Sequence, residues 1–169
     1  MGTIAGIPID EYLTTTFDPD CEFVDGEVVE RNVGEKDHSR LQTALASWLF
    51  SRRKELGTHP YTEQRIRIAP DRYRIPDISV VWGPEPDEQV FTSPPFLCVE
   101  ILSPEDRAGK MQEKIDDYLG FGVRYVWVIN PQTRRAEIHT ATGSVRALDG
   151  LLKTESPEII VPLAELFEA

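Results

Sequence analysis

A seven-residue segment, FLCVEIL at residues 96–102, places the strongest constraint on how this chain folds. Six of its residues are apolar, and the remaining one is Glu100. A short, continuous apolar run of this kind predicts a β-strand that is buried on both faces. Because an unpaired carboxylate loses its hydration when it is buried, we expect a cation opposite Glu100, either a metal ion, a lysine or an arginine.

Length and composition predict a single domain over residues 1–169, with residues 1–20 as an N-terminal extension. Of the 169 residues, 40% are hydrophobic and 28% are charged, which is typical of globular rather than disordered proteins. The sequence has neither an apolar run of the roughly 20 residues that cross a bilayer nor a secretory signal. We therefore expect a cytoplasmic protein that has no membrane partner. Cys21 and Cys98 lack metal-ligand spacing, and Cys98 is expected to be a reduced core residue.

The net charge of −11 limits the partners that the chain can have. An acidic chain is poorly suited to broad, nonspecific binding of nucleic acid, which usually needs a basic surface. A local basic groove, or a groove that depends on metal ions, is compatible with this charge.

The first half of the chain predicts a hairpin followed by a helix. The turn-forming pair Asp25-Gly26 predicts a hairpin over Cys21–Glu30. Apolar residues at helical spacing predict a helix from Asp37, as its N-cap, to about Glu55, with Gly57 as its stop. His38 falls on the inward face of this helix, where it is either a satisfied core residue or a functional group.

Two strands should follow the helix. Alternating side chains predict one strand over Thr62–Ile68 and another over Ile75–Trp82, and the second contains Asp77. The proline-rich segment of residues 83–95 predicts a surface loop before the apolar strand of Glu100.

After Glu100 the pattern predicts a βαβ unit. Helical spacing predicts a helix over Ala108–Phe121, with Lys114 at the border of its buried face. The apolar run Arg124–Ile129 predicts a strand, which completes a right-handed crossover unit. Three outer strands and a closing helical turn are predicted at Ala136–Thr140, Ser144–Leu148, Glu158–Val161 and Pro162–Phe167. The fold class is therefore α/β with α+β character: a mixed central sheet flanked by helices, with an N-terminal β-hairpin.

Two carboxylates and a lysine form the predicted site. Asp77 and Glu100 lie in neighbouring apolar strands, and Lys114 lies on the helix that follows, so the three groups can meet. Oxygen ligands of this kind suit Mg²⁺ or Mn²⁺, which lowers the pKa of bound water. The alternative is structural: Asp77 caps a turn, and Glu100 forms a buried ion pair with Lys114 or an arginine.

Several motifs of the chain resemble the core of the PD-(D/E)XK nucleases. They are Ile75-Pro76-Asp77, the segment Cys98–Pro104, Lys114 with Tyr118, and the strand and turn Tyr125–Pro131. More narrowly, they look like the Uma-type family of endonucleases within the restriction-endonuclease-like superfamily. The similarity runs from about residue 23 to residue 167, and it implies a restriction-endonuclease-like core.

By this resemblance, Asp77 and Glu100 are the metal ligands, and Mg²⁺ or Mn²⁺ is the cofactor. The superfamily pattern has a lysine two residues after the second acid, where this chain has Leu102. Lys114, on the following helix, is the matching residue. His38 matches a histidine of the family's first core helix. Weaker candidates are Glu63 and Gln64, on the strand that precedes the strand of Asp77.

The resemblance implies a Mg-dependent endonuclease that hydrolyses phosphodiester bonds in DNA and works as a homodimer. In this hypothesis Lys114 positions water or phosphate, and His38 is an accessory acid, base or phosphate contact. Four arginines around the strand that leads to Asp77 are either phosphate contacts or an ordinary solvated face: Arg65, Arg67, Arg72 and Arg74.

A second hypothesis is a catalytically inactive nuclease-fold dimer that serves as a protein or nucleic-acid interaction module. The acidic net charge and Leu102 favour it, whereas the intact set of Asp77, Glu100 and Lys114 argues against it. A carboxylate-pair hydrolase of sugars is a weaker alternative, because its acids lie in open clefts rather than in apolar strands.

Overall fold

The computed structural model describes residues 2–32 and 34–168 and has a mixed α/β architecture, as predicted. In chain order, its elements are β1 (Thr3–Ala5), α1 (Ile9–Thr14), β2 (Cys21–Val24), β3 (Glu27–Glu30), α2 (Lys36–Ser51), α3 (Arg53–Leu56), β4 (Thr58–Thr62), β5 (Ile66–Ala69), β6 (Arg72–Arg74), β7 (Ile78–Trp82), β8 (Leu97–Ile101), α4 (Ala108–Phe121), β9 (Tyr125–Asn130), β10 (Arg135–Thr140), β11 (Gly143–Arg146), β12 (Leu151–Thr154), β13 (Ile159–Pro162) and α5 (Leu163–Phe167).

The apolar strand of Glu100 is β8, and it lies inside a six-stranded sheet of order β11-β10-β9-β8-β7-β4. All of its residues are buried, which confirms the expectation from the apolar run. β8 pairs antiparallel with β7 and parallel with β9, so the sheet is mixed. The segment β8–α4–β9 is the predicted βαβ unit.

Different helices cover the two faces of the central sheet, so the face on which Glu100 lies determines which helix covers it. Leucines of α2 cluster with the odd-numbered residues of β8 on one face. On the other face Met111, Ile115 and Tyr118 of α4 cluster with Cys98. Side chains alternate along a strand. Glu100 therefore shares the face of Cys98 and lies under α4.

The predicted hairpin is confirmed, and it belongs to a second, antiparallel sheet of order β1-β3-β2-β6-β5. β2 and β3 pair up to Val24 and Glu27. Asp25 and Gly26 between them have φ angles of 52° and 85°, the left-handed conformation that a tight primed turn requires. β2 pairs with β6, so the hairpin is joined to the segment that leads to Asp77.

The helix predicted over Asp37–Glu55 is two helices, α2 and α3, which are separated at Arg52. The Arg52 guanidinium lies 4.0 Å from the centre of the Trp48 ring and donates a 3.3 Å hydrogen bond to the Trp48 carbonyl. The spacing of apolar residues carries no signal for such a contact, so the break was not predicted.

The predicted N-cap of this helix is also wrong, whereas its predicted stop is confirmed. Glu35 occupies the cap position, and Asp37 lies in the first turn of α2. Gly57 follows α3 with a φ of 65°, the left-handed conformation in which glycine commonly ends a helix.

The strand predicted over Thr62–Ile68 is wrong, because the chain changes sheets there. β4 belongs to the central sheet and β5 to the second sheet, and Glu63 between them has a φ of 52°. The strand predicted from Ile75 begins only at Ile78, after Pro76, which has no N–H to donate to a sheet. Asp77 therefore precedes β7. Strands β1, β4, β6 and β12 add to the predicted set.

Among the helices of the described residues, none has the length and apolar character needed to cross a membrane.

The packing of α2 gives a stability prediction. Leu49 is fully buried and Phe50 is 55% exposed. We expect Leu49→Ala to lower the free energy of unfolding by about 2–5 kcal/mol, because it leaves a cavity against the sheet. The neighbouring control Phe50→Ala should cost less than about 1 kcal/mol. Urea unfolding measures both, and equal losses would contradict this packing.

Candidate active site

Asp77 is held at the entrance to β7 by contacts to both of its carboxylate oxygens. Its Oδ2 accepts a 2.7 Å hydrogen bond from the backbone N–H of Ile101, at the end of β8. Its Oδ1 accepts a 2.9 Å hydrogen bond from Arg31 and lies 3.3 Å from Nε2 of His38. The carboxylate is thus fixed to the strand that carries Glu100 and faces two cationic side chains.

Glu100 lies one residue before the end of β8, under α4, and is 3% exposed. Its Oε1 accepts a 2.6 Å hydrogen bond from the hydroxyl of Tyr118. Its Oε2 lies 3.6 Å from Nζ of Lys114. The expected cation opposite Glu100 is therefore present, and Lys114 supplies it. The second oxygen makes no direct hydrogen bond to any described residue.

A third buried carboxylate, Glu22 on β2, completes the surroundings of Lys114. Its Oε1 lies 3.7 Å from the ammonium and accepts a 3.0 Å hydrogen bond from the Ile75 N–H. Its Oε2 accepts a 3.0 Å hydrogen bond from Arg74. Sequence reasoning missed Glu22, because the hairpin signal of Asp25-Gly26 does not show which side chains of β2 are buried.

His38 and Gln42 lie one turn apart on α2 and both contact Asp77. Gln42 donates a 3.0 Å hydrogen bond to the Asp77 carbonyl. While Nε2 of His38 faces the carboxylate, its buried Nδ1 finds no hydrogen-bond partner among the described residues. Periodicity predicts that His38 faces inward, and there it makes a polar contact with Asp77.

Arg31 is the second residue that sequence reasoning missed. It follows β3 directly, and its side chain is 14% exposed. Besides its hydrogen bond to Asp77, it approaches Oε1 of Glu63 at 3.8 Å. No local pattern signals it, because the hairpin reaches Asp77 only through the pairing of the second sheet. Gln64, the other weaker candidate, donates to the carbonyls of Arg65 and Gln89 instead.

The four arginines that lead to Asp77 do not form one solvated face. Arg74 is 4% exposed and binds Glu22 and Asp117. Arg72 pairs with Asp117 and Asp25. Carboxylates engage both side chains, so neither belongs to an ordinary solvated face. Their role as phosphate contacts stays a prediction. Of the others, Arg65 lies over the Tyr12 ring, and Arg67 is exposed.

The structure brings Asp77, Glu100, Lys114 and His38 to the wall of one small cavity of about 70 Å³, together with Arg31. A volume of this size accommodates a few water molecules or a partly hydrated ion. The cavity opens between the second sheet and the start of α4.

The three acids of this cavity differ in how well their charges are balanced. Burial raises the pKa of Glu22, but Lys114, Arg74 and the Ile75 N–H outweigh burial and lower it. Burial likewise raises the pKa of Asp77, and His38, Arg31 and the Ile101 N–H lower it below its usual range. Both acids are therefore ionised near neutral pH.

Glu100 behaves in the opposite way. Burial raises its pKa, Lys114 lowers it, and the nearby charges of Asp77 and Glu22 raise it again, to about 7. Lys114 itself is buried, which lowers its pKa, but Glu100 and Glu22 outweigh this and raise it. Burial also lowers the pKa of His38, whose contact with Asp77 gives a net rise. Glu100 is thus the acid whose negative charge is least compensated.

The acids of the cavity match the ligand preference of Mg²⁺ more closely than that of zinc. No group of three or more His, Cys, Asp or Glu side chains that could hold a metal ion occurs in residues 2–32 and 34–168. Protein sites for Mg²⁺ commonly use one or two carboxylates and keep several waters. The Oε2 atom of Glu100, with no hydrogen bond of its own, and the Oδ1 atom of Asp77 are donors of that kind.

Comparison with known proteins identifies the family. A family model described as "Uma2: Putative restriction endonuclease" matches residues 9–165. This chain belongs to the Uma2 family. The predicted resemblance is therefore confirmed, and membership of this family supports a nuclease.

A solved structure is similar to this Uma2 protein over nearly its whole length. It is described as the crystal structure of "a putative nuclease belonging to DUF820" from Anabaena variabilis ATCC 29413. The TM-score is 0.84 at 23% sequence identity, and the match covers 96% of this chain and 98% of that chain. At this identity the likeness establishes the fold, which confirms the predicted fold class. Comparison with curated proteins gives no match.

The raised pKa of Glu100 predicts how the stability of this Uma2 protein depends on pH. The folded chain keeps a proton on Glu100 up to about pH 7, whereas the unfolded chain releases it near 4.5. Rising pH therefore favours unfolding across this interval. Relative to Glu100→Gln, we expect the wild-type chain to lose on the order of 3 kcal/mol of unfolding free energy over this interval.

Urea unfolding of both chains in EDTA, at several pH values across this interval, measures the difference. Extended below pH 3.8, the same series tests Asp77→Asn as the control of opposite sign, because the lowered pKa of Asp77 stabilises the fold above its unfolded pKa of 3.8 and this contribution is lost as pH falls below that value. A wild-type minus Glu100→Gln difference that stays constant with pH would contradict the raised pKa.

Proposed function

We propose that this chain is a metal-dependent endonuclease that hydrolyses phosphodiester bonds in DNA and works as a homodimer. The observation that carries the proposal is the meeting of Asp77, Glu100, Lys114 and His38 at one cavity of a nuclease-family fold. The description of the family as a restriction endonuclease supports DNA as the substrate.

In this proposal, Asp77 and Glu100 hold Mg²⁺ or Mn²⁺. Bound there, the ion would lower the pKa of a coordinated water and neutralise charge on the phosphate. The charge of Glu100 is only partly balanced by Lys114, so the cavity has an excess of negative charge at this residue. A divalent cation bound there would balance it. Ionisation of Glu100 and binding of the cation would therefore favour each other.

The cationic side chains supply the other functions. Lys114 is held between Glu100 and Glu22 and stays charged, so its ammonium can neutralise the negative charge that develops on the phosphate. His38, whose Nε2 faces Asp77, can exchange a proton or hydrogen-bond a phosphate oxygen. Arg31 occupies Oδ1 of Asp77, the oxygen that a metal would share, and can turn to a phosphate when the metal takes its place.

A second candidate is a catalytically inactive nuclease-fold module that binds protein or nucleic acid. The contacts of Asp77 favour it, because Arg31 and His38 already balance this carboxylate without a metal. In that case the cavity would be a structural ion-pair network.

Metal binding separates the two candidates. In calorimetric titrations we expect the wild-type chain to bind Mn²⁺, and Asp77→Asn to weaken binding about 100-fold or more, because one of two carboxylate ligands loses its charge. The control is Asp116→Asn, an exposed acid on α4, which should bind like the wild type. The same three chains are then assayed for nicking of supercoiled plasmid in Mg²⁺. A wild-type chain without metal binding and without cleavage would leave the module as the better description.

The homodimer is tested separately. We expect sedimentation equilibrium at micromolar concentration to give twice the 19.2 kDa mass of the chain. A monomer that still cleaves both strands of a plasmid would refute the dimer and leave the catalytic proposal standing.

A further inference from the structure

A groove of about 990 Å³ lies between α4, β10 and α5. It lies beside the small cavity of Asp77, Glu100 and Lys114, which is called the catalytic cavity below. The floor of the groove is apolar and includes Leu102, Met111 and Ile115. The groove adjoins the catalytic cavity, because Asp106 and Met111 line both. Four arginines line it: Arg107, Arg134, Arg135 and Arg146. These residues define the arginine groove.

The arginines of the groove differ from those around Asp77 in their partners. Arg72 and Arg74 are bound by carboxylates. By contrast, no ion pair to a described carboxylate is formed by Arg107, Arg134 or Arg135, and all three are exposed. In a chain with a net charge of −11, three exposed arginines that pair with no described acid concentrate positive charge at this surface.

Three carboxylates, those of Asp106, Glu137 and Glu168, also line the groove and cancel part of the charge of its four arginines, which leaves an excess of one positive charge. Asp106 accepts hydrogen bonds from Asn32 and from the Ser103 N–H. Glu137 lies 3.4 Å from His139 and 3.8 Å from Arg146. Glu168, at the far end, adds one negative charge to the wall.

The turn between β9 and β10 holds two of these arginines in place. The side chain of Asn130 accepts hydrogen bonds from the N–H groups of Gln132 and Thr133, at 3.0 and 3.2 Å. Arg134 ends this turn with its guanidinium 5.5 Å from the centre of the Phe167 ring. A guanidinium that is fixed like that of Arg134 loses less entropy when it binds an anion.

We propose that the arginine groove holds the phosphate backbone of the nucleic-acid strand on one side of the bond that is cut. This inference rests on the proposed function, and it adds where the strand runs: from the catalytic cavity past Lys110 and Arg107, at the start of α4, to Arg134 and Arg135. Charge complementarity selects the occupant, because the phosphate backbone is the anionic part of the substrate. The apolar floor lies below, where a sugar or an unstacked base would pack.

The test compares two adjacent pairs of basic residues. Arg134→Gln/Arg135→Gln removes two charges from the groove. Arg53→Gln/Lys54→Gln is the matched control on α3, which lines neither cavity, and Arg53 also packs on an aromatic ring, that of Phe50. Fluorescence anisotropy with a labelled DNA oligonucleotide, in EDTA to prevent cleavage, gives the affinity over a range of salt concentrations.

We expect the groove pair to weaken DNA binding about tenfold or more near 0.1 M salt, and to lower the slope of log affinity against log salt by about 2. The control pair should change the affinity less than about twofold. In Mg²⁺ the groove pair should raise KM for plasmid cleavage and leave kcat within about twofold, because the catalytic groups are untouched.

Equal losses for the two pairs, or no loss for the groove pair in a chain that cleaves DNA, would overturn the groove assignment while the nuclease proposal stands. A groove pair that turns a dimer into a monomer without changing DNA affinity would make this surface a contact between two copies and also overturn it. If the wild-type chain binds Mn²⁺ but neither binds nor cleaves DNA, the substrate of the proposed function fails as well.

Discussion

Three carboxylates are buried near one another in this fold, and the structure depends on how their charges are balanced. Glu22, Asp77 and Glu100 are each 2–3% exposed. An ionised carboxylate taken out of water is costly unless cations and hydrogen-bond donors replace its hydration. Each comes from a different segment of the chain, so the network of cations that balances them ties the hairpin, the central sheet and α4 together.

The balance is uneven, and the unevenness indicates where chemistry can occur. Lys114, Arg74 and a backbone N–H balance the charge of Glu22. His38, Arg31 and a backbone N–H balance the charge of Asp77. Glu100 has Lys114 at 3.6 Å and the hydroxyl of Tyr118, and its pKa remains near 7. An acid whose pKa lies near 7, and whose Oε2 accepts no hydrogen bond from any described residue, is suited to bind a cation. If the network were purely structural, glutamine at position 100 would give a more stable fold than glutamate, because glutamine has no charge to balance.

Much of the fold and part of the candidate site could be predicted from local sequence. The apolar run around Glu100 predicted a doubly buried strand, and the spacing of Met111, Ile115 and Tyr118 predicted α4 with Lys114 at its border. The family motifs added His38. Glu22 and Arg31 could not be found in this way, because their environment is created by sheet pairing between segments that are far apart in sequence. The break at Arg52 and the change of sheets after Thr62 were missed for a related reason, since neither alters the apolar pattern.

The sequence by itself determined which segments become strands and helices and which acids must be buried, because periodicity and the cost of desolvation act locally. It also determined the family, through motifs that occur in order along the chain. Only the tertiary structure decided which cation faces which carboxylate. Arg74 binds Glu22 and Asp117 rather than facing solvent, and Arg31 reaches Asp77 across the fold. Arg134 and Arg135 form no ion pair with any acid in the described part of the chain. Coulombic interactions depend on distance in space and on local burial, and neither can be read from distance along the chain.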